Sequence, residues 1–161
     1  MPSSNTSTPR NLQQEVGKRE PFAIPEQEAY LNIVRSHAVL SGAFAALFKE
    51  HGLSEPQYNA LRIIAGAGPS GIRSETVGAR MVARDPDTTR LIDRLQRAGY
   101  VHRSKAEDDR RCVVVTITSD GRTLLRRLRR RVEDLHREQL GHLSRAELRE
   151  LNRVLFKARN S

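Results

Sequence analysis

Apolar positions predict helices along most of this chain. Between Glu26 and about His51 they recur every three or four residues, which is the spacing of an amphipathic helix, and Gly52 ends the pattern. Small polar residues of the kind that cap helix N-termini precede five further segments with the same spacing. These residues are Ser54, Ser74, Asp85, Thr118 or Ser119, and Ser144. The pattern therefore predicts a mainly α-helical fold.

Two short segments in the middle of the chain have the pattern of β-strands instead. Val101–Lys105 is strand-like, Cys112–Thr118 is nearly all β-branched, and the polar residues Glu107 to Arg111 separate them. We expect an antiparallel hairpin there, directly after a short helix from about Pro86 to Ala98. The predicted element order is α-α-α-α-β-β-α-α.

The helix before the hairpin has two opposed faces. Leu91, Ile92 and Leu95 fall on one side, and polar residues occupy the others. The polar residues are Thr88, Thr89, Arg90, Arg94 and Arg97. An arginine-bearing helix beside a basic hairpin is typical of a winged helix-turn-helix, in which the helix enters the major groove of DNA and the hairpin, or wing, contacts nearby phosphates or the minor groove.

Each of these polar residues also has a structural explanation. Charges at helical spacing often form a solvated face, and Thr88 and Thr89 could simply fill the first helical turn. Arg73 and Ser74 precede the supporting helix, where Ser74 is foremost a cap and secondarily a phosphate ligand. We favour DNA contact for the arginines because a basic hairpin directly follows them.

Charge agrees with a nucleic-acid partner. The 161 residues carry a net charge of +9, of which residues 101–161 contribute +7. Positive charge favours polyanions because each phosphate contact releases counterions. Anionic membranes are polyanions too, but the sequence has no run of 18 apolar residues and no signal-peptide pattern. We therefore expect a cytoplasmic protein that does not bind membranes.

The residue types that carry catalytic or metal chemistry form no constellation. The five histidines lack metal-ligand spacing, and no nucleophile turn or phosphate-cradling glycine loop is present. Cys112 is the single cysteine and lies in a predicted wing strand, where we expect it to be a packing residue or a bystander. We expect no metal, no cofactor and no enzymatic activity.

The predicted elements divide the chain into three regions. Residues 1–20 are rich in Ser, Thr, Pro, Asn and Gln, which predicts a mobile tail. Residues 52–118 form the predicted winged helix-turn-helix, and helices in residues 21–51 and 119–161 flank it. Their apolar stripes are broader than a small domain needs, which predicts a helical homodimer interface. Its candidate residues are Leu125, Leu128, Val132, Leu135, Leu148, Leu151 and Leu155.

Two segments resemble the core of the MarR (multiple antibiotic resistance regulator) family. They are TTRLIDRLQRAGYVHR, which begins at Thr88, and DDRRCVVVTITSDG, which begins at Asp108. GLSEPQYNALRII from Gly52 is similar to the second helix of that family, and GHLSRAELRELNRVL from Gly141 to its closing helix. The resemblance covers roughly residues 26–158 and rests on several ordered motifs.

The resemblance implies a homodimeric winged-helix transcriptional regulator, usually a repressor, on a palindromic operator in double-stranded DNA. A small aromatic or anionic effector often releases the DNA by occupying a cleft between the dimer helices and the DNA-binding lobe. The alternative is an effector-independent architectural or activating protein that uses the same dimer.

The resemblance also implies how the wing is held. Asp93 would orient the wing through an ion pair with Arg111, Asp109 belongs to the acidic tip of the wing, and Arg110 or Arg111 would enter the minor groove. The sequence departs from the family at residues 84–86, where small hydroxyl or basic residues are usual. Acidic residues there would weaken phosphate binding.

The implied effector cleft lies beside the first long helix. Candidate ligand residues on this helix and the next are Tyr30, Arg35, His37, Tyr58 and Arg62. Their phenol, imidazole and guanidinium groups suit a phenolic or carboxylate effector. Each of them could equally be a surface or interface polar residue.

The segment Arg122 to Arg131 contains six arginines. It could bind phosphates that flank an operator. It could equally keep a dimer helix soluble by pairing with Glu133, Asp134 and Glu138 one turn further on. The spacing is compatible with both interpretations.

Overall fold

The computed structural model describes residues 11–83, 87–106 and 111–160. These residues contain seven helices and three short strands. In chain order the elements are α1 (Leu12–Glu15), α2 (Pro25–Lys49), α3 (Glu55–Gly66), β1 (Ile72–Arg73), α4 (Ser74–Arg80), α5 (Thr88–Arg97), β2 (Val101–Lys105), β3 (Val113–Ile117), α6 (Ser119–Leu140) and α7 (Arg145–Ala158). They fall into two compact units, residues 1–42 and 43–161, and α2 contributes to both.

The first unit contains α1 and most of α2. Asn11 caps α1 by accepting a hydrogen bond from the backbone N–H of Gln14 at 3.0 Å, and Leu12 is buried. A helical turn therefore lies within the segment predicted to be a tail, because a capping residue and an apolar residue adjoin there. Residues 1–10 lie outside the described residues, so the mobility of the tail stays a prediction.

The α2 helix carries an exposed apolar face. Its exposed apolar residues in the first unit are Tyr30, Ile33, Val34 and Val39. Among the described helices, α2 alone is long and apolar enough to cross a membrane, by length and composition only. No membrane-spanning helix was expected, because the sequence has no uninterrupted run of 18 apolar residues. A core helix of a soluble protein passes the same test, so this property assigns no membrane location.

The core of the second unit lies between α3, α5, α6 and the sheet. Its fully buried side chains include Leu61, Ile64, Leu95, Val115 and Leu128. Phe48 from the end of α2 joins them and stacks on Tyr58, with ring centroids 4.4 Å apart. This core fixes the orientation of the helices that carry the candidate site.

The small sheet has three strands where the sequence predicted two. β3 lies between β1 and β2, antiparallel to both, and Ile72 of β1 is in register with Val115 of β3. Gly71 permits this approach with a φ of +73°, and a Cβ there would lie 2.7 Å from the carbonyl oxygen of Val115. The two-residue strand was missed because two residues show no alternation of apolar and polar positions.

Most of the predicted helix starts are confirmed, and two are wrong. Ser54 and Ser144 both form capping boxes, and Thr118 caps α6. Ser74 is the first residue of α4 and not its cap; the capping position is Arg73, which makes no side-chain capping bond. The helix expected to start after Asp85 begins at Thr88. Asp85 and Pro86 themselves lie outside the described residues.

Part of the predicted dimer interface is core of the single chain. Leu128 is 0% exposed and Val132 is buried, while Leu125 and Leu135 pack partly buried against the same core. Leu128 and Val132 were misassigned because a stripe at helical spacing does not tell whether the covering surface comes from the same chain. In contrast, Leu148 and Leu155 are only half-buried and Leu151 is exposed, and α7 has no buried residue at all.

Candidate nucleic-acid interface

The helix that carries the candidate DNA contacts, α5, is held in place by its apolar side. Leu91, Ile92 and Leu95 are buried in the core of the second unit, as predicted. Asp87 caps the helix by accepting a hydrogen bond from the backbone N–H of Arg90 at 3.2 Å. The side of this helix that bears Arg90, Arg94 and Arg97 is exposed. We call α5 the reading helix.

Four of the predicted contact residues are exposed on the reading helix. They are Thr89, Arg90, Arg94 and Arg97. The Arg90 side chain is 80% exposed and pairs with Asp87, with 3.1 Å between Nε and a carboxylate oxygen. Among the described residues, no carboxylate forms an ion pair with Arg94 or Arg97. The face therefore keeps a positive charge, as phosphate or guanine contacts require.

Thr88 has a different position from the one expected of a DNA ligand. It is half-buried, and its hydroxyl lies so close to α4 that a Cβ on Gly78 would be 2.9 Å from it. The structural explanation considered for Thr88, that it fills the first turn, fits this contact better than base reading. The absence of a side chain at Gly78 lets α4 and the reading helix approach closely.

The wing is attached to the reading helix by an ion pair that the sequence analysis did not anticipate. Asp93 of α5 accepts a hydrogen bond from the guanidinium of Arg103 in β2. The expected pairing of Asp93 with Arg111 is therefore wrong. Arg103 lies only six residues after the end of the reading helix, and its side chain reaches back to Asp93. The short connection between α5 and β2 therefore brings the two residues together. The sequence did offer a signal for this pair, because Arg103 is a basic residue in a predicted strand that directly follows the helix of Asp93.

Beside the wing, Arg73 and Arg111 remain candidate contacts. Arg111 is exposed at the start of the segment that leads into β3. Arg73 is half-exposed; its guanidinium donates to Cys112 Sγ at 3.7 Å and lies 4.0 Å from a carboxylate oxygen of Glu75. Ser74 is half-buried beside it. The predicted DNA contact Arg110 and Asp109, which was predicted to help orient the wing, lie outside the described residues.

A shallow groove of about 170 Å³ separates the start of α3 from the reading helix. Its lining residues are Ser54, Pro56, Gln57, Asp87, Arg90, Leu91 and Arg94. Ser54 and Gln57 already hydrogen-bond each other's backbone N–H groups, so the first turn of α3 is internally satisfied. The arginines at the edge of the groove supply its positive charge.

The candidate effector residues divide between the two units. Tyr58 and Arg62 lie in the second unit, where the Arg62 guanidinium donates to the Tyr58 hydroxyl at 3.2 Å. Tyr58 is buried and Arg62 is exposed. Tyr30, Arg35 and His37 lie exposed in the first unit, and Arg35 pairs with Glu15 at 3.6 Å. Their role in ligand binding stays a prediction.

This fold combines helices with a three-stranded wing sheet in the order β1-β3-β2, and it carries exposed arginines on the reading helix. These features define the class of DNA-binding winged-helix transcription regulators. A sequence model of the MarR family matches residues 53–113. The crystal structure of a MarR transcription factor from Planctomyces limnophilus has 38% sequence identity and a TM-score of 0.66, over 84% of this chain and 98% of that one. The chain therefore belongs to the MarR family, which confirms the predicted fold class.

Two further similar proteins have names that describe their regulation. The homoprotocatechuate degradative operon repressor of Escherichia coli is 27% identical over 112 residues, or 70% of this chain and 74% of that protein. Bordetella bronchiseptica BpsR, whose DNA binding is regulated by 6-hydroxynicotinic acid, is 23% identical with a TM-score of 0.76, over 88% of this chain and 99% of that one. At this identity the likeness to BpsR shows the fold alone.

The matched relatives are transcriptional regulators and not enzymes. In two of them the match covers only part of the relative. It spans 46% of the length of one and 57% of the length of the other. The activities and partners of such relatives therefore do not transfer to this chain by similarity alone.

The ion pair between Asp93 and Arg103 provides a direct test of wing positioning. We expect Arg103→Ala to weaken operator binding about five-fold, because a partly exposed ion pair contributes up to ~1 kcal/mol to holding the wing. Fluorescence anisotropy with labelled operator DNA measures the change. His102→Ala, an exposed change on the same strand, is the control and should bind like the original protein. Unchanged affinity of Arg103→Ala would reject the positioning role.

Proposed function

We propose that this protein is a homodimeric repressor that binds an inverted repeat in double-stranded DNA and is released by a small effector. The observation that carries the proposal is the reading helix, whose apolar side is fixed in the core while Arg90, Arg94 and Arg97 are exposed. Such a helix can enter a major groove without losing its packing. A bound dimer would block the DNA that it covers.

The exposed apolar surface of α7 supports the dimer. Leu151, Val154 and Phe156 are 41%, 46% and 61% exposed in the single chain. An unpaired helix with this much apolar surface is stabilised when a second copy covers it. In a symmetric dimer the two reading helices would contact successive major grooves, about 34 Å apart.

The proposed effector is an aromatic carboxylate. Tyr58 and Arg62 provide a phenol beside a guanidinium, a pair that suits a ring bearing a carboxylate. BpsR offers a precedent, since an acid of this class regulates its DNA binding. The dimer would also adopt a form in which the spacing of the two reading helices does not fit successive major grooves. An effector that binds this form more tightly would shift the population toward it and release the DNA. The coupling needed is often ~1–3 kcal/mol.

Selection of genomic fragments with the purified protein, followed by footprinting, tests this function. We expect a protected palindrome and a site that 6-hydroxynicotinic acid or a related acid releases. A specific footprint insensitive to such acids would favour the effector-independent architectural or activating protein. Salt-sensitive binding with no preferred sequence would reject the repressor.

A substitution on the reading helix links the footprint to the proposed site. We expect Arg94→Ala to weaken binding to the selected site about ten-fold or more, because an arginine contact to a base or phosphate contributes ~1–3 kcal/mol. Arg145→Ala removes an exposed arginine at the start of α7 and serves as the charge-matched control. Equal affinities of the two variants would show that α5 does not read DNA.

A further inference from the structure

The six arginines between Arg122 and Arg131 form two sets in the structure. Three of them pair with carboxylates: Arg129 with Glu133 at 3.0 Å, Arg130 with Asp134 at 3.8 Å, and Arg131 with Glu50 at 2.9 Å. The other three, Arg122, Arg126 and Arg127, are exposed. Across the described residues, none of these three pairs with a carboxylate. The structure thus separates a neutralised part of α6 from a positively charged part.

The unneutralised arginines lie in the first turns of α6, next to the end of the reading helix. Thr118, which caps α6, donates its hydroxyl to the carbonyl of Gly99 at 2.7 Å and its backbone N–H to the carbonyl of Tyr100 at 3.0 Å. Gly99 and Tyr100 directly follow the reading helix and lead into β2. The start of α6 is therefore in contact with the segment that joins the reading helix to the wing.

The local charge at the start of α6 is positive. Arg122 and Arg126 are four residues apart, which places them on one face about 6 Å apart along the helix axis. The Arg126 guanidinium donates to the Thr123 hydroxyl at 2.9 Å, and this neutral partner leaves its charge uncompensated. Asp120 is the acidic residue of the first turn. The positive end of the helix dipole adds to the attraction for anions.

We propose that Arg122, Arg126 and Arg127, the α6 arginine patch, bind phosphates of duplex DNA that flanks the operator. The inference rests on the proposed function, because it extends the same DNA contact. Duplex DNA fits this surface because the helix that carries the patch begins at Thr118's contacts with the segment that connects the reading helix and wing. Exposed guanidinium groups also match phosphate oxygens in charge and geometry. The six-arginine run thus serves both of the roles considered for it, in different halves.

A pair of charge-matched double variants tests the patch. R122Q/R126Q removes two patch arginines, and R129Q/R130Q removes two arginines that pair with carboxylates. Glutamine keeps the helix propensity of arginine, so circular dichroism melting should show both variants folded. Fluorescence anisotropy would measure the affinity for a 40-bp duplex centred on the selected site and for a 20-bp duplex of the same site, from 50 to 300 mM KCl.

We expect R122Q/R126Q to reduce the slope of log Kd against log [KCl] on the long duplex by about 0.9 for each lost phosphate contact, and to match the original protein on the short one. R129Q/R130Q should keep the original slope on both. Equal slopes for the two variants on the long duplex would overturn the patch while leaving the repressor intact. Absence of any sequence preference in the original protein would overturn the proposed function, and the patch proposal with it.

Discussion

Replacing Leu128 by Ala is expected to lower the free energy of unfolding by about 2–5 kcal/mol, a large part of the stability of a small domain. Leu128 is 0% exposed and packs in the core shared by α3, α5, α6 and the sheet. Truncation removes buried methyl groups and leaves a cavity that rigid neighbours fill only in part. Urea unfolding followed by circular dichroism, at fixed protein concentration, measures the loss.

The matched comparison is Leu151→Ala on α7, where the side chain is 41% exposed. In the monomer this change should cost much less, because little buried surface is lost. Its effect should instead be seen in sedimentation velocity, as weaker association of the subunits. A Leu128→Ala protein as stable as the original would contradict its place in the core, and a strong Leu151→Ala dimer would remove α7 from the interface.

Gly121→Ala should destabilise the chain although alanine is the better helix former. A Cβ at this position would lie 2.3 Å from the carbonyl oxygen of Tyr100 and 2.8 Å from Ile117 Cγ1. The oxygen belongs to the backbone, so no rotamer change relieves the clash. We expect a net loss of about 1–3 kcal/mol in unfolding free energy, because the backbone clash outweighs the gain of up to ~1 kcal/mol in helix propensity. Thermal denaturation would show it as a drop of about 2–4 °C for each kcal/mol.

Gly66→Ala is the control for this prediction. Gly66 ends α3, and a Cβ there would have no neighbour within 4 Å. Its stability should stay the same or rise slightly. If Gly121→Ala were as stable as Gly66→Ala, the start of α6 would not be packed against Tyr100 as tightly as the structure shows.

Local signals in the sequence were enough to locate most elements. Ser54 and Ser144 stand before apolar stripes with Gln57 and Glu147 three residues later, and both form the capping boxes that this spacing favours. The strand Val101–Lys105 has the predicted bounds. In each case the deciding interactions connect residues close together in the chain. Such interactions can be inferred from spacing alone.

Long-range contacts account for what the sequence analysis missed. β1 exists because Ile72 pairs with Val115, a residue far along the chain, and its own two residues carry no pattern. Leu128 was assigned to a subunit interface because the spacing of apolar residues does not show which surface covers them. Asp93 was expected to pair with Arg111, whereas backbone geometry brings Arg103 to it. The exposure of the arginines on the reading helix could be predicted, because the helical spacing of its apolar residues shows which side faces the core.

The position of β3 between β1 and β2 has a mechanical consequence. Arg73 belongs to β1 and also occupies the capping position of α4, while Arg103 of β2 is tied to the reading helix through Asp93. Shear of the wing strands would therefore pull on both helices of the helix-turn-helix at once. The wing and the reading helix would then move together when the protein adjusts to an operator.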